Sequence, residues 1–243
     1  MDSKFMRTLI ESFYDAQKLR IGIGNRLVAN TMAKLGLEPG EKKENMEDDA
    51  AKVLKELTMW YTRITDGLAN VPARKRIAEI EKADGLIADV FEYNAVGIYH
   101  DMLGKEKSME KNIGKALEVF PIYTEFLKGV KGCGPLMSGV ILSYMDIHKA
   151  RHISSFWKLS GLDTVTIVDE ATGETRVEGR RNFGAHLVDR EYIAKDGTTQ
   201  TKKSITYRPF LKTKLLGVLG SSFLKCNSPY RVYYDNYKHR EVS

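Results

Sequence analysis

Apolar positions in the first half of the chain recur at spacings of three and four. Phe5, Leu9, Phe13, Ala16, Leu19, Ile23 and Leu27 fall on one stripe of a helix predicted over residues 3–35. Gly36 and Pro39 end it. Asn45 followed by Glu47, Asp48 and Asp49 marks a second start, with a capping side chain and negative charge at the positive end of the helix dipole. Val53, Leu57, Trp60, Ile64 and Leu68 form its seam. Pro72 opens a third helix, where a missing N–H is tolerated. Its Ile77, Ile80, Ile87, Phe91, Ile98 and Met102 stand at near-heptad spacing, interrupted by Asp84 and Asn94. They predict one continuous rod, roughly 45 Å long at about 1.5 Å per residue. A further helix is expected over residues 108–127. The short connection from Leu68 to Pro72 predicts an antiparallel pair. Leu86, Val90, Val96 and Tyr99 occupy the rod's other faces, more than one partner helix can cover, so the pattern predicts a bundle or a homodimer.

After Gly161 the period changes. Residues 165–168 and 174–177 flank Asp169, Glu170, Ala171, Thr172 and Gly173, a hairpin pattern. A second pair, 186–194 and 198–207, turns at Asp196-Gly197, a strong short-range hairpin signal. Residues 209–224 read as a helix opened by Pro209, with Leu211, Leu215, Val218 and Leu219 on one face and Lys212 and Lys214 elsewhere.

Between the halves stands VKGCGPLMSGVIL, residues 130–142. A helix ending near Lys128, then Lys131, Gly132, Cys133, Gly134 and Pro135, then a helix over 136–145, is the arrangement called helix-hairpin-helix. Glycine at both positions opens backbone angles closed to other residues and leaves the turn's amides uncovered. Those amides and the following helix N-terminus form a donor surface for a phosphate oxygen, a grip on backbone that carries little sequence information. A plain tight turn is the competing reading. The fold expected is therefore mostly α: a long-helix bundle or coiled coil over residues 1–128, then a helix-hairpin-helix α+β domain with β-hairpins over residues 129–243.

Charge strengthens the phosphate reading. The chain carries a net +6, and from Gly129 onward 18 Lys and Arg face 11 Asp and Glu. Residues 197–234 hold seven basic residues and no acidic one: Lys202, Lys203, Arg208, Lys212, Lys214, Lys225 and Arg231. A clustered field of one sign attracts polyanions, nucleic acid above all; a solvated face kept for solubility is the alternative. Hydrophobic content of 42% and charged content of 29% suit a folded globular protein and argue against disorder. The first residues lack the apolar run of a secretory signal and nothing reaches the length of a membrane span, so an intracellular, cytoplasmic protein is expected. Cys133 and Cys226 read as reduced packing residues.

Other candidate chemistry is sparse. His148 and His152 have ligand spacing but only Asp146 for company, and no metal or cofactor is implied. Asp48 and Asp49 read as helix-start charges. Trp157 beside Phe156 reads as core rather than a base-stacking platform. Tyr207, Tyr230, Tyr233, Tyr234 and Tyr237, interleaved with Arg208, Arg231, Lys238 and Arg240, suit either base stacking or packing of the last segment.

GCGPLMSGVILSYMDI, SSFWKLSGL, YRPFLKTKLLGVLGSSFLK and NSPYRVYYDNYKHR, in that order, resemble the C-terminal domain of the insertion-sequence transposases described as bridge-RNA-guided recombinases. QKLRIGIGNRLVANTMAKLGL is similar to that family's helix after its nuclease domain. The resemblance is firm over residues 128–240 and loose before them. It implies a helical coiled-coil segment followed by a nucleic-acid-binding domain. The family's N-terminal RuvC-like domain, whose four carboxylates converge on Mg²⁺, is expected to be absent, because the chain begins directly in helix. The family's serine nucleophile follows a Gly-Leu that corresponds to Gly161-Leu162, yet no serine occurs between Ser160 and Ser204. Ser204, in TKKSITYRP, matches a different family position; Lys202, Lys203 and Arg208 would supply the cations a nucleophile on a phosphodiester needs. Three readings stay open: a transposase-like protein binding DNA or guide RNA without cleaving it, a serine recombinase that borrows its missing domain from another subunit, and a helical adaptor of a phage or mobile element.

Overall fold

The computed structural model describes residues 3–36, 46–83, 85–168 and 173–242. The described chain is mostly helical, with two antiparallel two-stranded sheets. Its compact units are Glu11–Asn112, and Met1–Ile10 together with Ile113–Ser243. Both boundaries fall inside helices, α1 (Ser3–Lys34) and α4 (Val90–Leu117); the expected division at 128/129 lies within the second of these units.

In the unit Glu11–Asn112, α1 is joined by α2 (Met46–Gly67), α3 (Ala73–Ile80) and most of α4. Gly36, with φ +76°, follows the end of α1 as predicted; Pro39 and Asn45 lie outside the described residues. Leu27, Leu57, Ile87, Val96 and Tyr99 make the core, with Val53, Trp60 and Ile64 packed on it. Buried Glu106 accepts the Arg20 Nε–H at 2.5 Å.

The continuous rod predicted after Pro72 does not form. α3 stops at Ile80 and α4 begins at Val90. Asp89 Oδ1 accepts the Glu92 amide at 2.8 Å, and Glu92 Oε2 reaches back to accept the Ala88 amide at 2.9 Å, so a first-turn donor and one just before the helix are satisfied and a fresh helix start is set. Within the link, Gly85 lies under Trp60: a Cβ there would sit 2.7 Å from the indole. α4 then runs unbroken through Ser108, where a separate helix was expected. The break resets the helical phase. Val96 and Tyr99, predicted to need an outside partner, are buried in this unit's own core, whereas Phe91 and Ile98, predicted for the inner seam, are 80% and 52% exposed.

In the other unit Met6 and Ile10 of α1, Ile113 and Leu117 of α4, Val140 of α6 (Pro135–Tyr144) and Leu211 of α8 (Pro209–Lys212) are all fully or almost fully buried. Gly139 permits the approach of α1 to α6, since a Cβ would lie 2.6 Å from Ile10 Cδ1. The helix predicted over 108–127 is divided: α4 ends at Leu117, and α5 (Pro121–Glu125) and a 3₁₀ turn at Leu127–Gly129 follow. α7 (Ile153–Ser160) closes on Gly161, whose φ is +67° and whose added Cβ would meet the Tyr207 ring at 2.5 Å.

β1 (Thr164–Val168) pairs with β2 (Thr175–Gly179), Thr164 opposite Gly179 and Val168 opposite Thr175. β3 (Val188–Ile193) pairs with β4 (Thr199–Ser204), Val188 opposite Ser204 and Ile193 opposite Thr199. Its turn uses the predicted Asp196-Gly197: Gly197 has φ +82° and Asp196 Oδ1 accepts the Thr198 amide at 3.0 Å. α8 continues through a π-helical stretch, Thr213–Gly220, into α9 (Ser221–Lys225), and α10 (Arg231–Val242) ends the chain.

Candidate nucleic-acid interface

The turn at 131–134 departs from the helix-hairpin-helix expectation: a five-residue helix and a 3₁₀ turn precede it in place of a helix running to Lys128, and its amides are not all uncovered. Its first glycine is turned inward and only the second faces solvent. Gly132 has φ +96°, and an added Cβ would lie 2.8 Å from Phe223 Cδ1 and 2.9 Å from Cys226 Sγ. Its carbonyl accepts the Ser222 hydroxyl at 2.8 Å. Cys133 is buried, burial pushes its thiol above the ordinary range, and its amide donates to the Val130 carbonyl at 2.9 Å. Gly134 is exposed at φ −71°, an angle open to any residue, with nothing within 4 Å of an added Cβ. Lys131 is exposed beside it. The surface donors are thus Lys131, the Gly134 end of the turn and the start of α6; a phosphate cannot lie in the turn's inner side, which α9 fills.

The predicted basic residues divide between packing and surface. Lys212 is half-buried, donates to the Arg180 carbonyl and lies 5.4 Å from the Tyr207 ring centre. Lys214 is half-buried over the Phe210 ring, and burial lowers its ammonium below the usual lysine range. Both lysines therefore help hold the domain together. Arg208 is exposed, with its guanidinium 5.4 Å from the Tyr144 ring centre and its amide donating to the Leu159 carbonyl at 2.9 Å.

Lys202 and Lys203 are exposed on opposite faces of the β3–β4 ribbon, because successive strand side chains alternate. Lys203 pairs with Asp189 at 2.9 Å. Lys202 stands directly opposite Arg190, with its ammonium 5.0 Å from the Tyr192 ring centre; the side chains sharing that face, Val188, Arg190, Tyr192, Gln200, Lys202 and Ser204, include no carboxylate. Arg190 was not singled out from sequence, although its alternation with Val188 and Tyr192 places it on this face. Ser204 is half-buried at the end of β4, and among the described residues neither a histidine nor a carboxylate hydrogen-bonds its hydroxyl.

Two further groupings escaped the sequence reading because their partners are far apart in the chain. Asp163 takes the Arg180 guanidinium at 2.8 and 2.7 Å, and this pairing holds its carboxyl below the usual range. Arg7 donates to the Ser143 carbonyl at 3.1 and 2.8 Å and lies 4.6 Å from the Tyr144 ring centre. Trp157, read from sequence as core, is 51% exposed, because α7 presents that side to solvent. Asp146 caps its own loop by accepting the His148 amide at 3.0 Å, and among the described residues no three His, Cys, Asp or Glu side chains gather as metal ligands. No described helix is long and apolar enough to cross a membrane.

Compared with protein-family models, curated proteins and solved structures, the chain matches none of them.

Proposed function

We propose that this protein binds nucleic acid through its phosphate backbone, as a relative of the insertion-sequence transposases its C-terminal half resembles, and does not cleave strands on its own. The observation that supports this best is Lys202 facing Arg190 on an exposed ribbon face without a carboxylate. Like charges directly opposite weaken a strand pair, so the arrangement gains when an anion lies across it. A two-stranded ribbon also fits the major groove of a duplex. The 131–134 turn and the start of α6 act as a second contact of the helix-hairpin-helix kind, supplying Lys131 and the Gly134 amide.

In this reading the N-terminal helices serve as a long-helix bundle that pairs two copies of the chain, through the exposed Phe91 and Ile98 of α4. Binding measured by anisotropy with labelled duplex DNA and with structured RNA, over a series of salt concentrations, tests the proposal. A steep fall in affinity with salt is expected, because each neutralised phosphate releases counterions; affinity unchanged from low to physiological salt rejects it.

A further inference from the structure

Three clefts adjoin around α7. One, of about 400 Å³, is lined by Arg7, Tyr144, Lys149 and Arg208; a second, of about 510 Å³, by Lys158, Arg180 and Thr206; a third, of about 500 Å³, by Ser154, Trp157, Lys158 and Leu162. Ser155 lines all three, so together they follow the exposed side of a helix of only two turns.

The charge along these clefts is one-sided. The carboxylates that border them are already occupied: Asp163 is held by both arms of Arg180, and Asp146 by the His148 amide and by Lys149 at 3.3 Å. Arg7 and Arg208 form no ion pair among the described residues, and Lys158 feels the charge of Asp163 only as a longer-range partner, since both arms of Arg180 already hold that carboxylate. Arg7 and Arg208 lie 4.6 and 5.4 Å from the centre of the same Tyr144 ring, which positions two like-charged guanidiniums before any ligand arrives. Both cations line the same cleft, where an anion gains from each. Farther along the helix, the half-exposed Trp157 indole stands next to Lys158. An aromatic face beside cations suits a nucleobase, and only an unpaired base has a free face to offer.

We infer that the clefts around α7 bind single-stranded nucleic acid, with backbone phosphates at Arg7, Lys158 and Arg208 and an unpaired base stacked on Trp157. This rests on the nucleic-acid reading above and adds to it a site apart from the β3–β4 ribbon, with a preference for unpaired strand.

The test uses the full chain, a dT oligonucleotide of about 16 nucleotides and a duplex of the same length, read by anisotropy and by tryptophan emission. The dT strand is expected to quench emission, and Trp157→Phe to abolish the quenching while keeping most of the affinity. Trp157→Ala is expected to weaken single-strand binding about tenfold and leave duplex binding within about twofold. Arg208→Ala is expected to weaken single-strand binding and lower its salt slope by about one. Unchanged circular dichroism and melting temperature confirm that the variants fold. If nucleic acid binds but Trp157→Ala weakens neither polymer, or weakens both equally, the α7 site is rejected while the general reading stands. Poly-glutamate binding as tightly as the dT strand overturns it in favour of an acidic peptide. If neither polymer binds at low salt, the nucleic-acid reading itself falls.

Discussion

The Ser222 hydroxyl donates to the Gly132 carbonyl at 2.8 Å across 90 residues of sequence, tying the glycine turn to the basic C-terminal helix. Two segments that sequence reading links only through shared charge are thus parts of one packed unit.

That packing separates the two glycines. Gly132→Ala must accept φ +96° and a Cβ within 2.9 Å of both Phe223 and Cys226, and is expected to destabilise the protein by about 2 kcal/mol or more. Gly134→Ala meets neither obstacle and should change stability by no more than about 0.5 kcal/mol. Urea unfolding of the two variants beside the parent decides this; equal midpoints would show that Gly132 is not held against α9.

On the ribbon, Arg190→Gln removes one of two facing cations. Stability is expected to stay level or rise by a few tenths of a kcal/mol, on the order of a cross-strand pair, while affinity for nucleic acid drops and its salt slope falls by about one. Lys203→Gln, on the other face, loses an exposed pair with Asp189 worth roughly 0–1 kcal/mol. Its effect on affinity should be smaller, because Asp189 already offsets its charge. Anisotropy titrations at several salt concentrations compare the two.

The elements decided by neighbouring residues were legible in the sequence: the Asp196-Gly197 turn, the end of α1 at Gly36, and the starts beside Pro135 and Pro209. The start of α4 was legible too, in Asp89 followed three residues later by Glu92, but it lies inside an apolar repeat that runs on without it. What ends the rod is long-range, with Trp60 from another helix closing over Gly85. Lys212 and Lys214 lie off the apolar stripe of a regular helix, yet both are half-buried on aromatic rings, Tyr207 and Phe210, that the stripe does not reveal. Arg7 and Tyr144 belong to segments that no local pattern connects.

Acid should weaken the pairing of Asp163 with Arg180. Hydrogen bonds from Arg180 hold the Asp163 carboxyl below its ordinary value against the opposing effect of burial. In the interval between the folded and ordinary values the unfolded chain binds more protons, so stability rises with pH there. The contribution is complete above the ordinary carboxylate range, about pH 4, and is lost as pH falls through the folded value. Arg180→Ala is expected to cost roughly 1–2 kcal/mol at neutral pH, since it leaves a half-buried carboxylate without its hydrogen-bond partner. It should also flatten the acid limb of a melting-temperature profile taken from pH 7 to about pH 3; a limb of unchanged slope would mean that other carboxylates carry it.

Phe91 and Ile98 stand seven residues apart on α4, which places them on one face of the helix, and they are the exposed apolar pair that the reset phase leaves there. A homodimer through this face would cover both, while Val96 and Tyr99, buried in the core of their own unit, would contribute nothing. Light scattering of the parent chain at micromolar concentration is expected to give twice the mass of the chain. Phe91→Lys with Ile98→Lys should return the mass of one chain without lowering the melting temperature of the isolated copy, because neither side chain supports the core. A single-chain mass for the parent protein rejects the dimer and leaves the exposed pair without a partner of its own kind.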